Sequence, residues 1–150
     1  MICKPDAVER GLVGEIVGRL ERRGLRLAAA TLRRLDADTA GRHYAEHRSK
    51  PFYDRLIAYV TRAPSLVAVV EGPAGTTAAV RAMVGATDPA AAAPGTMRGD
   101  LALTAPDNLV HASDGPEAAR REIELFFPGL AATGMAGTGP GALAPTPGSS

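Results

Sequence analysis

Between Pro64 and the Gly72-Pro73 pair lies the run Ser65-Leu-Val-Ala-Val-Val70, apolar and rich in β-branched residues. A run this short, bounded by breakers on both sides, reads as a core strand rather than a buried helix. Helical patterns surround it. Leu12, Val13, Ile16, Val17 and Leu20 recur at helical spacing against Glu15, Arg19, Arg22 and Arg23, and Gly24 stands where such a helix stops. Val80, Met83 and Val84 mark another helix, ended by Gly85. Met1 to Cys3 reads as a strand fragment ended by Pro5, with a loop after it. Leu25 to Leu32 alternates weakly and reads as a further strand. Asp36 or Asp38 is placed to cap a short helix through Tyr44 and His47. Ser49 and Pro51 open the next, with Phe52, Leu56, Ile57 and Val60 on one face.

From Ala86 to Asp107 no period emerges, and a stretch this long without structure inside a compact domain is usually functional. It delivers the chain to a short apolar run closed by His111. There Asp114, Gly115, Pro116 and Glu117 read as an N-cap, a proline near the first turn and an acid three residues on. Four strands with helices between them suggest an α/β (α+β) sandwich of split-βαβ, ferredoxin-like type. After Phe127 the sequence is uncharged and dominated by Ala, Gly, Pro, Thr and Ser. It is expected to be a disordered tail over 128–150, leaving 1–127 as one domain.

Several function classes are disfavoured. A net charge of +1 gives no ground for bulk binding to nucleic acid or a membrane surface. Cys3 is the only cysteine, so no internal disulfide forms and a reducing, cytoplasmic compartment is expected. No segment approaches the roughly 20 apolar residues of a membrane span, and Lys4, Asp6, Glu9 and Arg10 interrupt any signal peptide. Arginines 19, 22, 23, 26, 33 and 34 read as a solvated face, since acids interleave them and stacking aromatics are absent there. Neither a Walker A sequence nor G-x-G-x-x-G is present.

His111 is the residue to explain. It lies about one turn ahead of a helix start, where free N–H groups and the helix dipole favour an anion, and a histidine beside an anion suggests phosphate chemistry. Glu122, about two turns into that helix, is placed to reach back and set the imidazole tautomer. A buried histidine filling a strand end is the bland alternative. His43-Tyr-Ala-Glu46-His47 matches the H-x-x-E-H zinc pattern formally, yet the helix is short and no lobe supplies a third ligand. No resident metal is expected there.

Taken in order, the words Lys4-Pro-Asp-Ala-Val-Glu-Arg10-Gly-Leu-Val-Gly-Glu15, His43-Tyr44-Ala-Glu-His47, Lys50-Pro-Phe52, Gly85-Ala-Thr87-Asp-Pro89, Pro94-Gly-Thr-Met-Arg98-Gly-Asp100 and Asn108-Leu-Val-His111-Ala-Ser-Asp114 resemble nucleoside diphosphate kinase. The resemblance runs from about Met1 to Phe127. It implies a ferredoxin-like fold with a four-stranded antiparallel sheet covered by helices. It implies that His111 accepts the γ-phosphoryl of ATP or another nucleoside triphosphate and passes it to a diphosphate, with Glu122 and Ser113 orienting the ring. Lys4, Tyr44, Arg81, Thr87, Arg98 and Asn108 would bind phosphates and ribose, Phe52 would stack on the base, and Mg²⁺ would arrive on the nucleotide phosphates. A homo-oligomer, hexamer or tetramer, is implied as well. A relative reduced to a nucleotide-binding scaffold would have lost His111 or a phosphate cation, and none is lost here.

The sequence also departs from the family pattern. Members usually carry several more residues ahead of the Lys4 motif, so the first strand is expected to be short. Ala105 stands where a valine is common, and Asp107 where a basic residue is common. The low-complexity stretch replaces the familiar C-terminal segment.

Overall fold

A computed structural model describes residues 1–132. Strands β1 (Ile2–Cys3), β2 (Arg26–Arg34), β3 (Pro64–Glu71) and β4 (Val110–His111) form one sheet in the order β2-β3-β1-β4. Every pairing is antiparallel, as expected for the ferredoxin-like arrangement. The short β1 lies inside the sheet. Ile2 faces Val67 on one side and His111 on the other, and Cys3 faces Leu66 and Val110. Next to it, Ala68 N–H donates to the Met1 carbonyl at 2.9 Å, which carries the β3 pairing one residue further.

Because side chains alternate along a strand, this register sorts the core. Cys3 and Val110 join Ile16 and Leu20 of α2 (Val13–Arg22), Val80 and Val84 of α5 (Thr76–Val84), and Met97 of α6 (Met97–Leu101). Ile2 and Val67 point the other way, onto Phe126 of α7 (Pro116–Phe126). His111 therefore shares a face with α7, while its neighbour Val110 is buried in the main core. A third cluster joins Ala40 of α3 (Ala37–His43) to Tyr59 and Val60 of α4 (Tyr53–Thr61).

Local expectations change at several points. The loop expected after Pro5 is a helical turn, α1 (Pro5–Glu9), opened by proline at its first position; five residues are too few for a period to show. The stretch Ala86 to Asp107 is not structureless. It holds a 3₁₀ turn at Pro89–Ala91, with Asp88 accepting from Ala90 N at 3.0 Å, and α6, with the Thr96 hydroxyl accepting from Gly99 N at 3.0 Å. Asp114 does not cap α7. Gly115 holds that position without a side-chain cap, and the Asp114 carboxylate turns instead to Arg81 at 3.0 Å. Asp36 does cap α3, accepting from Thr39 N at 2.7 Å. Of the stretch expected as a tail, Pro128–Ala132 forms the short helix α8; the remaining residues, 133–150, lie outside the described part.

Candidate active site

The outer edge of β4 organises the site. In a strand, alternate carbonyls point to the same side, and an edge strand leaves one such row without a β-partner. Lys4 N–H donates to the Leu109 carbonyl at 2.8 Å on the inner side. The carbonyls of Asn108, Val110 and Ala112 form the outer row, and two arginines cover it. Arg98 donates from Nε to Asn108 O at 3.2 Å and from an Nη to Val110 O at 2.6 Å, while its other Nη reaches Gly85 O at 2.9 Å. Arg81 donates to Ala112 O at 3.3 Å. Gly85 ends α5 with φ of 88°, and a Cβ there would strike Thr96, so this close approach requires glycine. Burial lowers the Arg98 pKa from its ordinary value, and the charge of Arg81 adds to that effect.

The turn into β4 is strained. Leu109, fully buried, has φ of 70°, and the Val110 amide donates to Asn108 O at 2.8 Å, closing a three-residue turn. Such backbone persists only where its surroundings over-determine it. Buried Asp6 supplies part of that restraint: one carboxylate oxygen accepts from Leu109 N at 3.0 Å and the other from the Tyr59 hydroxyl. The sequence reading missed both residues. Asp6 is visible in the sequence only as part of the Lys4 word, and no local pattern marks Tyr59.

Lys4, between β1 and α1, is 6% exposed and donates to Pro106 O at 2.9 Å and to the Asn108 side chain. Burial pushes its ammonium down to about 8, against the opposing pull of Asp6. The Asn108 amide donates in turn to Thr87 O at 2.7 Å, fixing the backbone of that loop. Lys4, Asn108 and Thr87 are therefore one connected unit.

His111 Nε2 lies 3.0 Å from Glu122 Oε1, and the Ser113 hydroxyl donates to Glu122 Oε2 at 2.6 Å. Burial alone would raise the Glu122 carboxyl, but the hydrogen bond and charge of His111 and the Ser113 hydroxyl outweigh it and hold the group at about 2. An ionised carboxylate only accepts, so Nε2 carries a proton, and in the neutral imidazole Nδ1 then keeps its lone pair. All the sequence-assigned residues except Ser113 line one cleft of about 920 Å³: Lys4, Tyr44, Phe52, Arg81, Thr87, Arg98, Asn108, His111 and Glu122. Ser113 reaches it through Glu122. Arg42, Arg55 and Arg121 also line the cleft, and no local pattern distinguished them from other surface arginines.

His43 closes α3 against His111, with ring centroids 4.5 Å apart and planes at 86°. His47 does not share its helical face, because α3 ends at His43 and a 3₁₀ turn follows, so the H-x-x-E-H spacing makes no ligand pair. Burial pushes the His43 imidazole down to about 4; the charges of His111, the Met1 ammonium and His47 act the same way, and Glu122 opposes them. Folding thus favours neutral His43. Its stabilisation is complete above pH 6.5 and is lost as pH falls from 6.5 towards 4, where the unfolded chain binds a proton that the folded one resists. The loss amounts to about 3 kcal/mol. Urea unfolding between pH 7 and 4 should show this decline in the natural protein and a flatter profile in His43→Phe. Parallel profiles would assign the acid sensitivity elsewhere. The Glu122 window lies lower, between 4.5 and about 2, and should persist in that variant.

A family model described as nucleoside diphosphate kinase matches residues 1–131. A nucleoside diphosphate kinase of Parafrankia sp. (strain EAN1pec) is 54% identical over 130 residues, covering 87% of this chain and 94% of that protein. One from Thermomicrobium roseum is 57% identical over 127 residues, covering 85% of each. Among solved structures, a halophilic nucleoside diphosphate kinase from Halobacterium salinarum in complex with CDP superimposes with a TM-score of 0.81 at 48% identity, over 84% of each chain.

Proposed function

Because this chain belongs to the nucleoside diphosphate kinase family, we propose that His111 carries the family's reaction here. That reaction transfers the γ-phosphoryl of a nucleoside triphosphate such as ATP to a nucleoside diphosphate through a phosphohistidine, in a ping-pong cycle. The observation that supports this assignment is the hydrogen bond of 3.0 Å from His111 Nε2 to ionised Glu122, which leaves the Nδ1 lone pair free on the wall of a cationic cleft.

Nδ1 attacks the γ-phosphorus as the β,γ-bridging oxygen departs with the bonding electrons on the diphosphate. Glu122 balances the positive charge that develops on the ring. In the second half-reaction a terminal β-phosphate oxygen of the acceptor attacks the same phosphorus, and the N–P electrons return to Nδ1. A metaphosphate-like phosphoryl has little covalent demand and is stabilised by preplaced cations, the role of Lys4, Arg81 and Arg98. Tyr44, Thr87 and Asn108 hold phosphate and ribose oxygens.

The acids beside His111 are already engaged, Asp114 with Arg81 and Glu122 with His111 and Ser113. This set suits a Mg²⁺ brought on the nucleotide's own phosphate oxygens rather than one held by protein carboxylates. When bound there, the ion offsets phosphate charge.

Phe52, 50% exposed at the cleft rim, offers a ring face to any base. Phe52→Ala removes binding shared by ground and transition states, so KM should rise several-fold with kcat nearly unchanged. Steady-state kinetics check this; a fall in kcat matching the loss in kcat/KM would remove the stacking role.

Incubation with γ-labelled ATP and Mg²⁺ tests the central assignment. The expected product is an acid-labile, base-stable phosphoprotein whose label moves to added GDP. An acid-stable adduct, or label that GDP does not discharge, would overturn it. We place the chain in the cytoplasm as a homo-oligomer, hexamer or tetramer. Leu32, 61% exposed on edge strand β2, and Leu103 at 89% supply apolar surface for subunit contact. No helix among the described residues is long and apolar enough to cross a membrane. Residues 1–127 contain every side chain this mechanism uses, and we take them as the catalytic domain.

A further inference from the structure

His43 lines the cleft beside His111 yet has no part in the transfer proposed above. Both of its ring nitrogens are buried, and neither has a hydrogen-bond partner among the described residues. A neutral imidazole has one N–H to donate and one lone pair to share, so leaving both unmatched is costly. The rings of Tyr44 and Phe126 fix its place, with centroids 4.4 Å and 5.3 Å from that of His43. One ligating atom from each of His43, His111 and Glu122 lies within 4.8 Å of the others.

Two imidazoles and a carboxylate form a donor set that suits Zn²⁺ and neighbouring divalent transition ions. Bonds of about 2.0 to 2.2 Å place two donors on one ion roughly 3 to 3.5 Å apart. The separation of 3.0 Å between His111 Nε2 and Glu122 Oε1 is already near that value, and with the three ligating atoms within 4.8 Å of one another, closure requires mainly a shift of His43 by roughly 1 to 2 Å. We propose that His43, His111 and Glu122 form a binding site for a divalent transition ion such as Zn²⁺, and that the bound ion holds the enzyme inactive.

The inhibition follows from the tautomer and rests on His111 being the nucleophile. The ion takes the place of the proton that Nε2 now shares with Glu122. A neutral imidazole ligated through Nε2 carries its proton on Nδ1, so the displaced proton is rebound there through solvent, and the lone pair that attacks phosphorus is lost. Mg²⁺ does not enter this site, because it prefers hard oxygen ligands and stays with the nucleotide phosphates. The two metals therefore act at different places, one on the substrate and one on the enzyme.

Zn²⁺ binding to the full-length protein is measured by competition with a zinc indicator in Mg²⁺-free buffer, and inhibition by adding Zn²⁺ to assays at fixed free Mg²⁺ and nucleotide. One ion per chain is expected, with inhibition reversed by a chelator. His43→Phe keeps a packed ring and removes both nitrogens. It should retain zinc-free turnover while weakening Zn²⁺ binding and inhibition together by on the order of 10²-fold or more. If this variant does not fold, the natural protein still decides: imidazole NMR signals of His43 and His111 should shift with one equivalent of Zn²⁺ while those of His47 stay. Binding unaffected by His43→Phe, or a first shift at His47, overturns the site and leaves the nucleophile assignment standing. Zn²⁺ binding that depends on His43 without inhibition overturns the inhibitory role and counts against His111 as nucleophile.

Discussion

His111→Ala should abolish phosphoryl transfer, lowering kcat by on the order of 10⁴-fold or more, while the protein stays folded and still binds nucleotide. The side chain belongs to none of the buried apolar clusters, and its strand remains held by the Lys4 to Leu109 bond and by the register with β1. The cost to the fold lies in Glu122, whose carboxylate loses its stronger partner but keeps the Ser113 hydroxyl. A charge left with one donor at a partly exposed site costs about 1 to 2 kcal/mol, a fall of several degrees in Tm. Nucleotide affinity should change by no more than a few-fold, because the cations and Phe52 are untouched. Three measurements decide it: coupled-assay turnover, thermal melting and nucleotide titration. More than a trace of ATP-dependent GDP phosphorylation, or a protein unable to fold, would remove His111 from the nucleophile's place.

Arg98→Ala and Arg81→Ala should fail in different ways, although the two residues carry the same charge into the same cleft. Arg98 is 5% exposed, and its guanidinium donates to three main-chain carbonyls, of Asn108, Gly85 and Val110. Asn108 O keeps the Val110 amide, so two acceptors, Gly85 O and Val110 O, are left unmatched; at about 1 to 3 kcal/mol each the substitution should cost roughly 2 to 6 kcal/mol of a total near 5 to 15. Much of its lost activity should then appear as lost folded protein. The Arg81 side chain is 43% exposed, with Asp114 and Ala112 O as its partners. Its removal should change stability by less than about 1 kcal/mol, in line with a surface ion pair, while lowering kcat/KM by roughly 10²-fold through lost charge stabilisation. Denaturant titration alongside kinetics separates the two. Equal stability losses, or an Arg98 variant as stable as the natural protein, would mean that the carbonyl row along β4 does not depend on Arg98.

How far local pattern reached depends on whether the physics involved was local. The strand at Pro64–Glu71, the amphipathic helix at Val13–Arg22 and the Asp36 cap are set by side-chain periodicity and by hydrogen bonds spanning a few residues, so the sequence alone contained them. The same holds for the Glu122 reach to His111, since both lie within one strand-to-helix connection. Short elements were not legible, because α1 and α6, at five residues each, complete too few turns to display a period. The Asp114 cap failed for a different reason: a guanidinium from α5, distant in the chain, competes for that carboxylate and wins it.

The sequence by itself determined the inventory and order of the main elements and the family words, because these follow from pattern and spacing along the chain; the cleft residues it named came through the resemblance those words carry, and Arg42, Arg55 and Arg121 were not among them. Only the tertiary structure decided how each cation is used. That Arg98 holds the β4 edge while Arg81 stands half exposed depends on which carbonyls an edge strand leaves open. That Asp6 pins the strained Leu109 amide, and that His43 lies against His111 with both nitrogens unmatched, depends on segments far apart in the chain meeting in space. Hydrogen bonds and metal ligation act over about 2 to 3 Å and depend on direction, and no one-dimensional pattern encodes a contact between residues separated by a hundred positions.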